Sequence, residues 1–212
     1  MKQAIKSNAM ILGGFALICT LMVALVDLLT ADTRARQAEQ QLLNTLYQVI
    51  NPARFNNDIY MACQHVQDRD LLGSDKPQTV YTARQDNLPV AVAITSVAPD
   101  GYNGNIELLV AINKDGSLSG VRVLEHQETP GLGDKIETRK SEWIYRFENK
   151  KMTSEKDSRW AVKKDGGMFD QFTGATITPR AIVNAVKNTM LFFDKNQTEL
   201  LSNTTSCRGE NG

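Results

Sequence analysis

The sequence predicts an α+β fold: one domain with a mostly antiparallel sheet flanked by helices, preceded by a single N-terminal transmembrane helix. Three observations predict it. Ala9 to Thr30 is almost wholly apolar, four runs between Thr79 and His126 have the short period of strands, and the segment after Thr178 carries apolar residues at helical spacing. The strand-like runs are joined by short connections, which suit antiparallel neighbours, because parallel ones need crossovers of roughly a dozen residues or more.

The apolar run from Ala9 to Thr30 matches the length of about 20 residues that crosses a hydrocarbon core as a helix. A cleaved signal peptide is the rival reading, but the run is long for an apolar signal core and no small-x-small site follows Leu29. Asp27, near its end, reads as a carboxylate at headgroup level rather than as an ion relay. Lys2, Lys6 and the terminal amine precede the span while Arg34 and Arg36 follow it, a slight bias towards a cytoplasmic amino end. From Asp32 to Ile50, apolar residues at Ala35, Ala38, Leu42, Leu46 and Val49 predict a helical stalk ending before Asn51-Pro52. Thr79 to Arg84, Pro89 to Val97, Ile106 to Asn113 and Leu118 to His126 are the predicted strands, with Asp115-Gly116 as the turn between the last two. Ser141 to Glu148 then predicts a short helix burying Trp143 and Phe147, Trp160 to Lys163 a further strand, and Asp165-Gly166-Gly167 a turn. Thr178 reads as the cap and Pro179 as the first residue of a closing helix, with Ile182, Val183, Val186, Met190 and Phe193 as its apolar stripe.

Several function classes are set aside by composition. The chain has 212 residues with 24 basic and 24 acidic side chains, so no basic nucleic-acid footprint exists. His65 and His126 are too isolated to seed a metal set, and His126 reads as a structural hydrogen-bonding residue. Gly131-Leu132-Gly133 lacks the third glycine of a dinucleotide fingerprint, and no phosphate-loop sequence of the Walker type occurs. Cys19 lies in the apolar span, leaving Cys63 and Cys207 as the pair in the remainder. In an oxidising compartment these two would close a disulfide; two unrelated structural thiols are the alternative.

The segment Asp170-Gln171-Phe172-Thr173-Gly174-Ala175-Thr176 places a hydroxyl on a small-residue turn just ahead of the closing helix. Free backbone N–H groups and the helix dipole favour an anion there by roughly 0.3–1 kcal/mol. On residue types alone, an ordinary capped turn is the favoured reading. Asp-x-x-Thr-Gly-Ala-Thr, however, is similar to the motif at which a flavin transferase joins FMN through its phosphate to the last threonine. Together with Gly101-Tyr102-Asn103-Gly104 and the run from His126 to Ile136, it resembles the family of the G subunit of the Rnf (Rsx) electron-transport complex. The C subunit of the sodium-pumping NADH:quinone oxidoreductase is a more distant likeness.

The resemblance implies FMN held covalently by a phosphoester to Thr176, with Thr173, Gly174 and Ala175 shaping the approach and Asp170 presenting the motif. It also implies that the loop Glu128 to Ile136 contacts the flavin, so Glu128, Thr129, Leu132 and Lys135 join the expected site. Pro130, Gly131 and Gly133 would let that backbone approach a flat ligand closely. The implied organisation is a cytoplasmic amino end (1–8), a transmembrane helix (9–30), a stalk (31–52), a periplasmic FMN-binding domain (53–203) and a mobile tail (204–212). The implied role is electron relay between ferredoxin and NAD, coupled to ion movement across the bacterial inner membrane. Its implied partners are the other subunits of the complex, the membrane and the flavin transferase. A membrane-anchored scaffold without redox turnover is the alternative from another class; an independent flavin enzyme is disfavoured because no acid, base or nucleophile cluster accompanies the motif.

Overall fold

The computed structural model describes residues 2–202, and Cys207 and the polar tail lie outside the described residues. The chain runs α1 (Lys2–Val49), β1 (Cys63–Val66), α2 (Arg69–Leu72), β2 (Gln78–Gln85), β3 (Leu88–Gly101), β4 (Gly104–Asn113), β5 (Leu118–Glu125) and α3 (Ile177–Ser202). The expected anchor and stalk form one uninterrupted helix, α1, which is long and apolar enough to cross a membrane. The chain divides into two compact units at Asn44/Thr45. In the first, the large apolar side chains from Met10 to Leu29 are all more than half exposed, as a lipid-facing helix requires, and Asp27 pairs with Arg34.

In the second unit the five strands lie in the order β1-β2-β3-β4-β5, every neighbour antiparallel, confirming the meander. The β2–β3 turn is Asp86-Asn87, both at positive φ, the backbone a tight hairpin requires and that Asp and Asn tolerate. Alternation gives the sheet two buried faces. Val92, Ile94, Leu108, Val110 and Ile112 point to one and share a core with Ile182, Val186, Met190 and Phe193 of α3. Each such side chain contributes about 1.5–3 kcal/mol by burial. The opposite face carries small residues, among them Ala83, Ala91, Ala93 and Ala111, beside Tyr81 and Leu109, and is met by the last turn of α1 and the segment after it. Ser119 Oγ donates to Val49 O (2.6 Å) and Asn57 Nδ2 to Thr82 O (3.0 Å), fixing that cover. Gly120 permits the approach, since a Cβ there would lie 3.1 Å from Val49 Cα.

Ser141 to Glu148 holds the expected short helix, a 3-10 helix at Trp143–Phe147 that buries both Trp143 and Phe147. Two elements differ from expectation. Strand β1 has only four residues at a sheet edge, too short to show a period. The strand expected at Trp160 to Lys163 is absent: Val162 makes only an isolated bridge to Phe169, and the chain folds back through Gly167, where a Cβ would sit 1.9 Å from Ala161 O. What this segment supplies is aromatic packing. Trp160 and Phe169 lie in one cluster with Phe147, whose ring centroid is 4.4 Å from that of Phe169.

Cys63 is buried and disulfide-bonded, while Cys19 is free. Its expected partner, Cys207, lies outside the described residues.

Candidate flavin site

The Asp170 to Thr176 segment is held from below by the aromatic cluster. Phe172 is buried edge-on against Trp143 (5.1 Å between centroids), and Trp143 Nε1 donates to Asp170 O at 2.7 Å. Above them a tight turn closes with Ala175 N–H donating to Phe172 O (3.1 Å), and Gly174 takes the left-handed backbone at φ +83°. A non-glycine residue would be strained at that angle.

α3 starts at Ile177, two residues earlier than the Thr178-Pro179 pair suggests. Thr176 itself is therefore the capping position, and its carbonyl accepts from Arg180 N–H at 3.4 Å. Pro179 becomes the third helical residue, where its missing N–H still costs nothing because the first turn has no intrahelical acceptors. The hydroxyl of Thr178 is engaged elsewhere, and that of Thr176 makes no hydrogen bond among the described residues. Arg180 braces this helix start by a two-pronged pair with Asp165 (2.7 and 2.9 Å).

A cavity of about 240 Å³ opens beside Thr176. Gly174, Ala175 and Thr176 form one wall; Glu128, Thr129 and Leu132 form the other. Leu132 is exposed, and its Cδ2 lies 3.4 Å from where a Gly174 Cβ would be, so the two expected segments do meet. Tyr102, from the β3–β4 turn, and Ile177 complete an apolar rim, and both are exposed. The remaining expected residues lie outside the lining. Thr173 is exposed on the turn, and Lys135 is half-buried in the 3-10 helix Gly133–Ile136. Asp170 pairs with Lys163 Nζ (2.5 Å); that ammonium, with Arg146 further off, holds its carboxyl below the usual carboxylate range.

Glu128 is the buried charge of the site. Its Oε2 accepts from Thr178 Oγ1 and its Oε1 from Asn103 N–H at 3.1 Å. Its own N–H donates to His126 Nδ1 (3.1 Å), which assigns the ring proton to Nε2, facing Glu137 Oε1 at 3.0 Å. His126 is thus a structural hydrogen-bonding residue. Tyr102, Asn103, Gly133, Ile177 and Thr178 belong to the site without having been singled out as site residues from sequence. An exposed aromatic at the tip of Gly101-Tyr102-Asn103-Gly104 was the available signal for the first of them.

The donors and spaces present suit FMN. Small residues and free N–H groups at a helix start suit a phosphate, and the apolar rim suits a flat ring.

Residues 101–190 match the FMN-binding domain family, and residues 1–49 match the RnfG N-terminal region. The G subunit of the ion-translocating oxidoreductase complex of Shewanella loihica is 52% identical, over 98% of this chain and 98% of its own length. Its counterpart in Shewanella piezotolerans is 50% identical over the whole of both chains, and that of Vibrio cholerae 48% over 99% and 100%. A crystal structure of NqrC from Shewanella oneidensis aligns with 70% of this chain and 74% of its own at 21% identity and a TM-score of 0.45, a likeness too low to carry argument. With these relatives matched from end to end, the chain belongs to the family of G subunits of ion-translocating oxidoreductase complexes and contains its FMN-binding domain.

Proposed function

We propose that this chain is an electron-relay subunit of a membrane-bound, ion-translocating electron-transport complex and carries FMN as a phosphoester on Thr176. The observation that supports this most is an unengaged capping hydroxyl beside a cavity of about 240 Å³. That volume is below the roughly 300–1,000 Å³ of pockets that enclose a drug-sized ligand. Enclosure alone would hold the cofactor weakly, and a covalent tether removes dissociation as a failure mode.

When bound, FMN supplies the electron-accepting and electron-donating chemistry; the protein supplies attachment, orientation and local charge. Gly174 and Ala175 keep the approach to Thr176 open, Thr129 offers a hydroxyl, and Leu132 offers an apolar surface for the ring. Lys135 contributes positive charge from outside the cavity, and Thr173 a hydroxyl on the turn. Asp170, half-exposed in its pair with Lys163, is the residue shown to the flavin transferase. α1 anchors the chain in the bacterial inner membrane with its amino end cytoplasmic, and the domain faces the periplasm beside the other subunits. The electron path runs between ferredoxin and NAD.

The test is in-gel flavin fluorescence of full-length protein made with a flavin transferase. Wild type is expected to fluoresce under denaturing conditions and Thr176→Ala to be dark. A dark wild-type band would instead support a scaffold without redox turnover.

A further inference from the structure

We propose that Glu128 is a positioning residue, a buried carboxylate that clamps the β3–β4 turn to the first turn of α3 and so presents the Thr176 hydroxyl at the cavity. This rests on the covalent reading above. The support is the number of site residues shaped around one side chain. Gly133, which in sequence looks like room for a ligand, makes room for this carboxylate: a Cβ there would lie 2.7 Å from Glu128 Oε2 and 2.9 Å from Thr178 Oγ1. Gly101 is required first by its own turn, where a Cβ would lie 2.2 Å from Gly104 O, and it also leaves room for Glu128 Oε1, 3.0 Å from the same point. Asn103 N–H and Thr178 Oγ1 supply the donors. Asn103 Nδ2 adds bonds to Gln127 O (2.9 Å) and Thr129 Oγ1 (3.2 Å), closing the turn onto the same loop.

A charge only 5% exposed is costly unless hydrogen-bonded, so the three segments are held together by the need to satisfy it. Thr178 is two residues from Thr176 on the helix start, and a shift of the one moves the other. Attachment forms a bond from Thr176 Oγ1 to the FMN phosphorus of a flavin dinucleotide. The hydroxyl proton is lost, the pyrophosphate bond breaks and a nucleoside monophosphate leaves. Such a displacement is sensitive to alignment, a misplacement of about 1 Å costing on the order of 100-fold. Glu128 acts on it through Thr178 and need not touch the flavin.

The experiment uses full-length protein in detergent with purified flavin transferase and FAD, following the initial rate of attachment. Amide hydrogen exchange is measured on the same proteins before attachment. Thr178→Val, close in shape but without the donor, and Glu128→Ala are expected to slow attachment at least ~10-fold, while Thr178→Ser restores it to near the wild-type rate. Exchange at the Asn103 amide is expected to rise in Glu128→Ala, and that of Arg180, whose N–H donates to Thr176 O, in both slow variants. Thr178→Val reacting at the wild-type rate would overturn the proposal, as would Thr178→Ser reacting as slowly as Thr178→Val. Should Glu128→Ala not fold, the two Thr178 variants decide. Wild type that takes no flavin on Thr176 would sink the covalent reading instead, and exchange would then decide the clamp alone: unchanged protection in the variants overturns it.

Discussion

Replacing Gly133 by alanine tests the packing of the site at one atom. The added methyl would lie 2.7 Å from Glu128 Oε2, 2.9 Å from Glu128 Cβ and 2.9 Å from Thr178 Oγ1. Ordinary contacts of a Cβ begin near 3.4 Å, so all three neighbours must retreat by half an ångström or more. None can do so freely, because Thr178 is fully buried and Glu128 is held at both oxygens. Overpacking costs about 1–3 kcal/mol, and a weakened hydrogen bond to a charged group adds about 1 more. A total of about 3 kcal/mol lowers Tm by roughly 6–12 °C for a domain of this size. Gly131→Ala is the control: it has nothing within 4 Å, and φ +78° leaves only backbone strain of about 1 kcal/mol. Thermal unfolding of the full chain in detergent is the assay. Gly133→Ala melting no lower than Gly131→Ala would refute the placement of Glu128 against Thr178.

Three further outcomes follow from named contacts. Trp143→Phe keeps the ring packing but loses the bond to Asp170 O, and is expected to cost about 1 kcal/mol, or ~2–4 °C in Tm; an unchanged melt would contradict the anchoring of the motif by that indole. Asp157 accepts first from the Arg159 guanidinium and then from Thr153 and backbone amides, which hold its carboxyl well below the usual range. A depressed folded pKa means that its stabilisation is complete above the unfolded value near 4 and is lost as pH falls below it. Asp157→Asn is therefore expected to make the acid-side fall of Tm shallower, and a slope equal to wild type would exclude this role. Non-reducing peptide mapping is expected to recover Cys63 linked to Cys207; recovery of both as free thiols would remove an argument for an exported domain.

Much of the fold was legible because its signals are local. β2 to β5 are apolar runs joined by short connections, Asp115-Gly116 marks a turn, and the stripe of α3 needs no knowledge of its partner. What escaped depends on residues distant in the chain. Either Thr176 or Thr178 is an acceptable cap by composition, and the choice is made by Glu128, fifty positions upstream, which takes the Thr178 hydroxyl. The run at Trp160 has the composition of a strand but lies where tilted ring packing against Phe147 and Phe169 wins over pairing with a sheet edge. Glycines in the flavin loop look like space for a ligand, and sequence gives no means of knowing that a neighbouring carboxylate fills the space at Gly133.

Peptide mass analysis of natively produced protein tests the central claim most directly. The tryptic peptide containing Thr176 is expected to carry the mass of one esterified FMN, localised by fragmentation to that residue. An unmodified peptide from a host that contains the flavin transferase, or the same adduct on any other residue, would contradict the account.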